Sequence, residues 1–173
     1  MAKPNAMPEV DSVKKETVRL GKYLNEVTTI TDSTGKVLHK LVKPVMTEFY
    51  LRDVIQVIVG ATILSIPIAF TEEVWKLGEK LPWANIATLV GVSLFFIAIF
   101  VYYNYYMGSL SKNWFNFIKR VASTYLISLL VVSFLMTIID QASWQALWEL
   151  SLKRVFIVAF PASMSAVVSD SIK

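Results

Sequence analysis

Residues 52–75 read RDVIQVIVGATILSIPIAFTEEVW, a run that opens on a charge pair, carries Pro67 inside it and closes on two adjacent carboxylates. From Val54 to Phe70 there are seventeen residues without a charge. Carried to Glu73 as one helix, the run reaches about twenty residues, or about 30 Å at 1.5 Å per residue, the thickness of a hydrocarbon core. The stretch is read as a membrane-spanning helix, with Arg52 and Asp53 at one boundary and Glu72 and Glu73 at the other.

Three further apolar runs follow, and the expected spans are about 53–74, 84–106, 120–140 and 153–170, the last being the shortest. Tryptophans at Trp75 and Trp83 flank the first joint, and YYNYY at 102–106 forms an aromatic girdle at the opposite interface. MGSLSKNWFNFIKR (107–120) reads as an interfacial amphipathic turn. QASWQALWELSL (141–152) reads as a surface helix carrying Trp144, Leu147 and Trp148.

The remaining residues, 1–50, read as a cytoplasmic head. Asp11 and Ser12 cap an expected helix over DSVKKETVRLGKYLNE, with Val13, Leu20 and Leu24 as an imperfect apolar stripe. EVTTITDSTGKVLHKLVK then has β-branched residues on both sides of a DSTG turn, a hairpin signature, with His39 as a surface strand residue. The expected fold is an all-α membrane protein: four transmembrane helices over 51–173 and a small head of one helix and a β-hairpin.

Composition agrees with a membrane class. Of 173 residues, 55% are hydrophobic and 17% charged, and the mean hydropathy is +0.54, while nine of the seventeen Lys and Arg fall in residues 1–53. The absence of cysteine excludes disulfides, thiolate metal sites and cysteine nucleophiles, and a single histidine excludes histidine pairs. No HExxH, GxSxG, P-loop or dinucleotide fingerprint is present, so no enzyme activity and no organic cofactor are expected. The net charge of +4 sits near span ends, where topology and anionic headgroups account for it, and nucleic acid is not an expected partner. No signal-peptide pattern is visible in the first fifty residues, so the first span is expected to direct insertion.

Basic residues near span ends divide as eight (Lys36, Lys40, Lys43, Arg52, Lys112, Lys119, Arg120, Lys173) against four (Lys76, Lys80, Lys153, Arg154). That bias puts both termini in the cytoplasm. Arg52 to Glu72 and Arg120 to Asp140 are each twenty residues, and a tryptophan follows each acid, at Trp75 and Trp144. This is either a parallel two-helix duplication or the common need of outward-going helices for a basic start and an interfacial Trp.

Within the first span Gln56, Gly60, Pro67 and Thr71 fall within about 60° on a helical wheel. Such a stripe faces protein or water, since Gln in lipid lacks hydrogen-bond partners and Gly admits a close backbone. Pro67 frees the carbonyl of Ile63 and is expected to kink the helix. Thr71, Glu72 and Glu73 are the candidate ion site, with a hard cation at Glu72 and Glu73, because paired carboxylates at a pore mouth concentrate cations. The competing reading is a pair of ordinary exit charges, with Glu72 bound to Lys76 one turn along. Asp140, Pro161 and Ser163 are secondary candidates, the last two in a small-residue face (Ala159, Ala162, Ser163, Ala166) that also suits helix packing.

RDVIQVIVGATILSIPIAFTEEVW followed by LFFIAIFVYYNYY resembles a family of small, uncharacterised prokaryotic integral membrane proteins, most specifically in IPIAFTEEVW. The resemblance covers the four spans and implies a polytopic membrane protein, and the expected location is the prokaryotic inner membrane. It supplies no activity and no site residue. The function expected is a homo-oligomeric, cation-conducting channel with an acidic outer mouth, whose partners are the lipid bilayer, further copies of itself and inorganic ions. The alternatives are a small secondary transporter built from two parallel repeats and a non-transporting membrane scaffold.

Overall fold

The computed structural model describes residues 10–20, 23–32, 37–44, 49–107, 110–145 and 147–172. They belong to two compact units, residues 1–47 and 48–173.

The first unit is a three-stranded antiparallel meander, β1 (Val10–Leu20), β2 (Tyr23–Asp32) and β3 (Val37–Pro44), in the order β1-β2-β3. The helix expected over the first of these segments is a strand. VDSVKKETVRL offers Val10, Val13, Thr17 and Val18, β-branched residues that favour a pleated surface, and its apolar stripe is too sparse to hold a helix against a partner. The hairpin expectation stands: Val27 pairs with Val42, Thr28 with Leu41 and Ile30 with His39. The register shifts between Ile30 and Thr31, whose partner is Val37. Of the DSTG turn only Asp32 lies within the described residues. His39 is exposed on β3, as expected of a surface strand residue.

The second unit is helical: α1 (Leu51–Ala69), α2 (Glu72–Lys80), α3 (Trp83–Val101), a π-helical turn over Tyr102–Tyr106, α4 (Leu110–Ile138) and α5 (Trp148–Ser171). Four helices are long and apolar enough to cross a membrane: Leu51–Ala69, Trp83–Tyr106, Asn113–Ile138 and Trp148–Ser171. The protein is therefore an integral membrane protein by length and hydropathy, with three boundaries that differ from expectation.

First, α1 stops at Ala69 rather than running on to Glu73. The Thr71 hydroxyl donates to the Ile68 carbonyl at 2.7 Å and the Trp75 indole N–H donates to the Ala69 carbonyl at 2.8 Å, so two carbonyls at the helix end are satisfied by side chains. Thr71 then occupies the N-cap position of a new helix, α2, without a side-chain bond to it. Second, residues 110–120 of the segment expected as a separate interfacial turn belong to α4, which bends at Asn113 (φ −125°, ψ 26°). Third, α5 begins at Trp148 and has 24 residues, about 36 Å, so the span expected to be shortest is long enough to cross. Its charged first turns hold their helical form with a Glu149–Lys153 pair at i,i+4, which absorbs half of the surface helix expected over 141–152. Residues 141–145 are not helical, and Asp140 just before them is in the left-handed region at φ 57°.

α5 is the centre of the bundle. Half of its span is buried, against 22% to 28% of the other three. It packs on α1, α2, α3 and α4 through small residues, Ala159, Ala162, Ser163 and Ala166, all fully buried. The backbones approach closely at Gly60 of α1, where a Cβ would lie 2.5 Å from Ser169 Cβ, 2.7 Å from the Ser165 carbonyl and 2.8 Å from Ala166 Cα. Val57, Ala61, Ile86, Val132, Met136, Val155 and Val158 complete the core. The outward faces, such as Ile55, Val59, Ile63 and Ile66 on α1 and Leu126, Leu130 and Phe134 on α4, are exposed and apolar, as hydrocarbon requires. The two halves of the proposed duplication are not equivalent in burial: α5 is central, whereas its counterpart α3 has 22% of its span buried.

Candidate functional site

Four successive spans alternate in direction, so the start of α1, the first third of α4 and the last turns of α3 and α5 meet at one end of the bundle. Each carries a polar side chain to that point. Asp53 is the third residue of α1, where a carboxylate accepts the backbone N–H of Tyr50 at 3.0 Å and is favoured by the helix N-terminus. Asp170 lies in the last turn of α5, where the helix dipole disfavours negative charge. Arg120 lies seven residues inside the Asn113–Ile138 span, about 10 Å from its start.

All three are buried, with 1% of Asp53 and none of Arg120 or Asp170 exposed. The guanidinium of Arg120 donates from Nε to Asp170 Oδ2 at 3.0 Å and from Nη2 to Oδ1 at 3.0 Å and Oδ2 at 2.7 Å. Its Nη2 also lies 3.5 Å from Asp53 Oδ2. One face of the guanidinium is 3.8 Å from the centre of the Tyr105 ring, and the Phe49 ring lies 5.5 Å away. The Tyr105 hydroxyl donates to the Asp170 carbonyl at 2.8 Å and to its Oδ2 at 3.2 Å.

The π-helical turn over Tyr102–Tyr106 ends α3 at this point, and π-turns recur at functional sites. Tyr106 is fully buried and Tyr105 reaches Asp170 across the bundle. Gln56, one turn into α1 from Asp53, donates to the Ile172 carbonyl at 3.0 Å and ties α1 to the C-terminal end of α5. Along α4, Thr124 and Ser128 follow Arg120 at successive i+4 positions and are fully buried. Ser128 Oγ donates to the Thr124 carbonyl at 2.8 Å, and the Thr124 hydroxyl has no hydrogen-bond partner among the described residues.

The residues singled out in the sequence are distributed differently. Glu72 and Glu73 are exposed in the first turn of α2, where acids suit the helix dipole, and Glu72 pairs with Lys76 at 3.0 Å. Among the described residues no three His, Cys, Asp or Glu side chains converge in a metal-binding group. The Gln56, Gly60, Pro67, Thr71 stripe is divided: the first two face α5, Pro67 is exposed beside Ile63 and Ile66, and Thr71 occupies the N-cap position of α2. Asp140 is exposed at the end of α4; Pro161 is half-buried within α5, and Ser163 is buried with its hydroxyl donating to the Phe160 carbonyl at 3.0 Å.

At the opposite end Arg154 bridges α5 to α2 and to the 139–147 connection, with Nη2 3.1 Å from Glu79 Oε1 and Nη1 3.0 Å from the Gln141 carbonyl. Trp83 donates its indole N–H to Glu149 at 2.7 Å. These contacts join neighbouring elements at the bundle end.

The sequence reading assigned Arg120 to the interface and Asp53 and Asp170 to span ends, and so missed the cluster. The signal was present in the α4 periodicity. Arg120, Thr124 and Ser128 share one helical face while Phe115, Ile118 and Leu126 lie on the other, an arrangement that turns the arginine inward.

The family model described as "Putative integral membrane protein (DUF2391)" matches residues 18–169. That range includes all of α1 to α4 and stops one residue short of Asp170. No curated protein and no solved structure matches the chain.

Proposed function

We propose, from the premise that this chain belongs to the DUF2391 family of integral membrane proteins, that it translocates a small cation and that the Asp53–Arg120–Asp170 cluster is the ion's site. The observation that carries the reading is one fully buried arginine held between two buried carboxylates. Charged side chains inside a membrane bundle cluster on ion and proton pathways. A purely structural clasp of Arg120 needs one acid, Asp170, and a second buried carboxylate, Asp53, lies beside it. Two carboxylates buried together in a membrane bundle are groups at which a monovalent cation can be held.

In this reading the pathway runs inside one chain, and the positive-inside bias assigns the cluster to the cytoplasmic side of a prokaryotic inner membrane. A homo-oligomeric channel with Glu72 and Glu73 at its outer mouth is the second reading, favoured by the exposure of both carboxylates and weakened by the Glu72–Lys76 pair. Purified protein in liposomes, assayed with a panel of monovalent cations under an imposed potential, tests both. Flux above that of protein-free vesicles that falls in Asp53→Asn supports the cluster; flux that falls only in Glu72→Gln with Glu73→Gln supports the outer mouth. Permeability equal to that of empty vesicles for every cation refutes translocation.

A further inference from the structure

We propose that the cleft between α2 and the start of α5 binds one phospholipid whose headgroup joins a phosphate to a primary ammonium. Lys153 takes the phosphate, and Glu79 and Glu149 take the ammonium. The cleft has a volume of about 380 Å³, near the lower end of the range for small-ligand sites. Gly78 and Glu79 form its α2 wall, and Trp148, Glu149 and Lys153 stand in the wall opposite. The two elements come this close because Gly78 has no side chain: a Cβ there would stand 2.6 Å from Arg154 Cγ and 3.5 Å from Leu150 Cδ1. The site lies at the other end of the bundle from the Asp53–Arg120–Asp170 cluster and is independent of the cation reading.

The first ground is the state of Lys153. Only 15% of its side chain is exposed, and its Nζ lies 3.7 Å from Glu149 Oε1. That is longer than the about 2.7–2.9 Å of a hydrogen bond between an ammonium and a carboxylate. The Trp83 ring centre is 5.4 Å away and accepts no conventional hydrogen bond. Among the described residues Lys153 Nζ therefore has no hydrogen bond, although an ammonium carries three donors. A largely buried ammonium that lines a cleft in this state is a seat for an anionic oxygen.

The second ground is the pair of carboxylates on the same walls. Among the described residues every bond to them uses Oε1: Arg154 Nη2 lies 3.1 Å from that atom of Glu79, and the Trp83 indole donates to that of Glu149 at 2.7 Å. Oε2 of each is left for a further donor, on side chains 58% and 55% exposed. A primary ammonium supplies such N–H donors and a trimethylammonium supplies none. An anionic headgroup without an ammonium would meet Lys153 but bring like charge to both carboxylates. The third ground is the rim, where Trp148 and Leu147 are exposed and apolar. Tryptophan sits at the headgroup level of a bilayer, so the cleft opens where lipid headgroups lie and the ligand is a lipid.

The test is native mass spectrometry of the full-length chain released from micelles that hold equal amounts of phosphatidylethanolamine, phosphatidylcholine and phosphatidylglycerol. The wild type is expected to keep one phosphatidylethanolamine, with a preference of about ten-fold over either competitor, the worth of one charge-assisted hydrogen bond. Lys153→Met is expected to lower that retention by about ten-fold, and Lys153→Arg to keep it. Glu79→Gln with Glu149→Gln is expected to abolish the preference for phosphatidylethanolamine over phosphatidylcholine. If Lys153→Met does not fold, the two glutamine substitutions decide. Equal retention of the three lipids, a preference for either competitor, or retention of none by the wild type overturns the inference without any variant. Unchanged phosphatidylethanolamine retention in folded Lys153→Met, or an unchanged preference in the glutamine variant, also overturns it. An excess of glycerophosphoethanolamine, the soluble headgroup, is expected to leave the lipid in place; its displacement overturns the lipid as the ligand.

Discussion

Replacing Arg120 with methionine removes the guanidinium from a site that holds Asp53 and Asp170 with no more than 1% of either exposed. Two carboxylates would then face each other in a bundle interior, and Asp170 would lose three hydrogen bonds of 2.7–3.0 Å. Breaking a buried pair by deleting one partner destabilises by about 3–5 kcal/mol, because the remaining charge is left without compensation. Removing the charge of Asp170 as well, in Arg120→Met with Asp170→Asn, should recover most of that loss, since the double variant leaves a single carboxylate at the favoured N-terminal position of α1. Reversible unfolding in mixed micelles, followed by tryptophan fluorescence, gives the four corners of the cycle. A loss below about 1 kcal/mol in Arg120→Met, or strict additivity in the double variant, would refute the reasoning that the three charges form one desolvated unit.

Other perturbations follow from single contacts. Gly60→Ala would set a Cβ 2.5–2.8 Å from atoms of Ser169, Ser165 and Ala166, two of them backbone, so the α1–α5 contact must open and stability in the same unfolding assay should fall by about 1–3 kcal/mol. Asp140→Gly relieves a non-glycine left-handed residue at φ 57° and should stabilise by about 1 kcal/mol, whereas Asp140→Val should destabilise. Glu72→Gln with Glu73→Gln alters two exposed side chains and should leave both the unfolding midpoint and the cation flux of the wild type unchanged.

On β1, the hydrogen bond to Lys14, and then its charge, hold Glu16 below the usual carboxylate range, while Glu16 raises Lys14. The pair's contribution is therefore present above the ordinary Glu pKa and lost as pH falls through the lowered one; at the alkaline end it is lost as pH rises through the raised Lys14 value. An NMR titration should find the Glu16 pKa moving upward in Lys14→Ala.

The spans were legible because hydrocarbon thickness leaves so little freedom. Seventeen uncharged residues between Asp53 and Thr71 admit a crossing helix, and the aromatic and charged joints at 75–83 and 102–106 mark its neighbours. The ends were less legible. α1 stops at Ala69 because Thr71 and Trp75 side chains satisfy its last carbonyls, a tertiary detail that no periodicity announces. The first strand was mistaken for a helix because Val13, Leu20 and Leu24 have helical spacing, whereas Leu24 belongs to β2 and the pairing of β1 with β2 decides the structure.

The buried cluster was hidden for another reason. Charges at span ends ordinarily belong to the headgroups, and the guanidinium of Arg120 turns inward only because carboxylates from the far-separated Asp53 and Asp170 meet it there. Sequence separation of 50 residues and more conceals such a pairing, although the Thr124 and Ser128 face points to it. Glu72 and Glu73 attracted notice as adjacent acids, yet their surroundings are solvent and Lys76.

The claim that the cluster is an ion site is tested most directly by electrical recording from protein-loaded membranes on a solid support. Wild type and folded Asp53→Asn would be compared under identical cation and pH jumps. The account predicts a current in the wild type that is lost in Asp53→Asn and kept in Glu72→Gln with Glu73→Gln. Equal currents in the wild type and Asp53→Asn, or none from either, would contradict it.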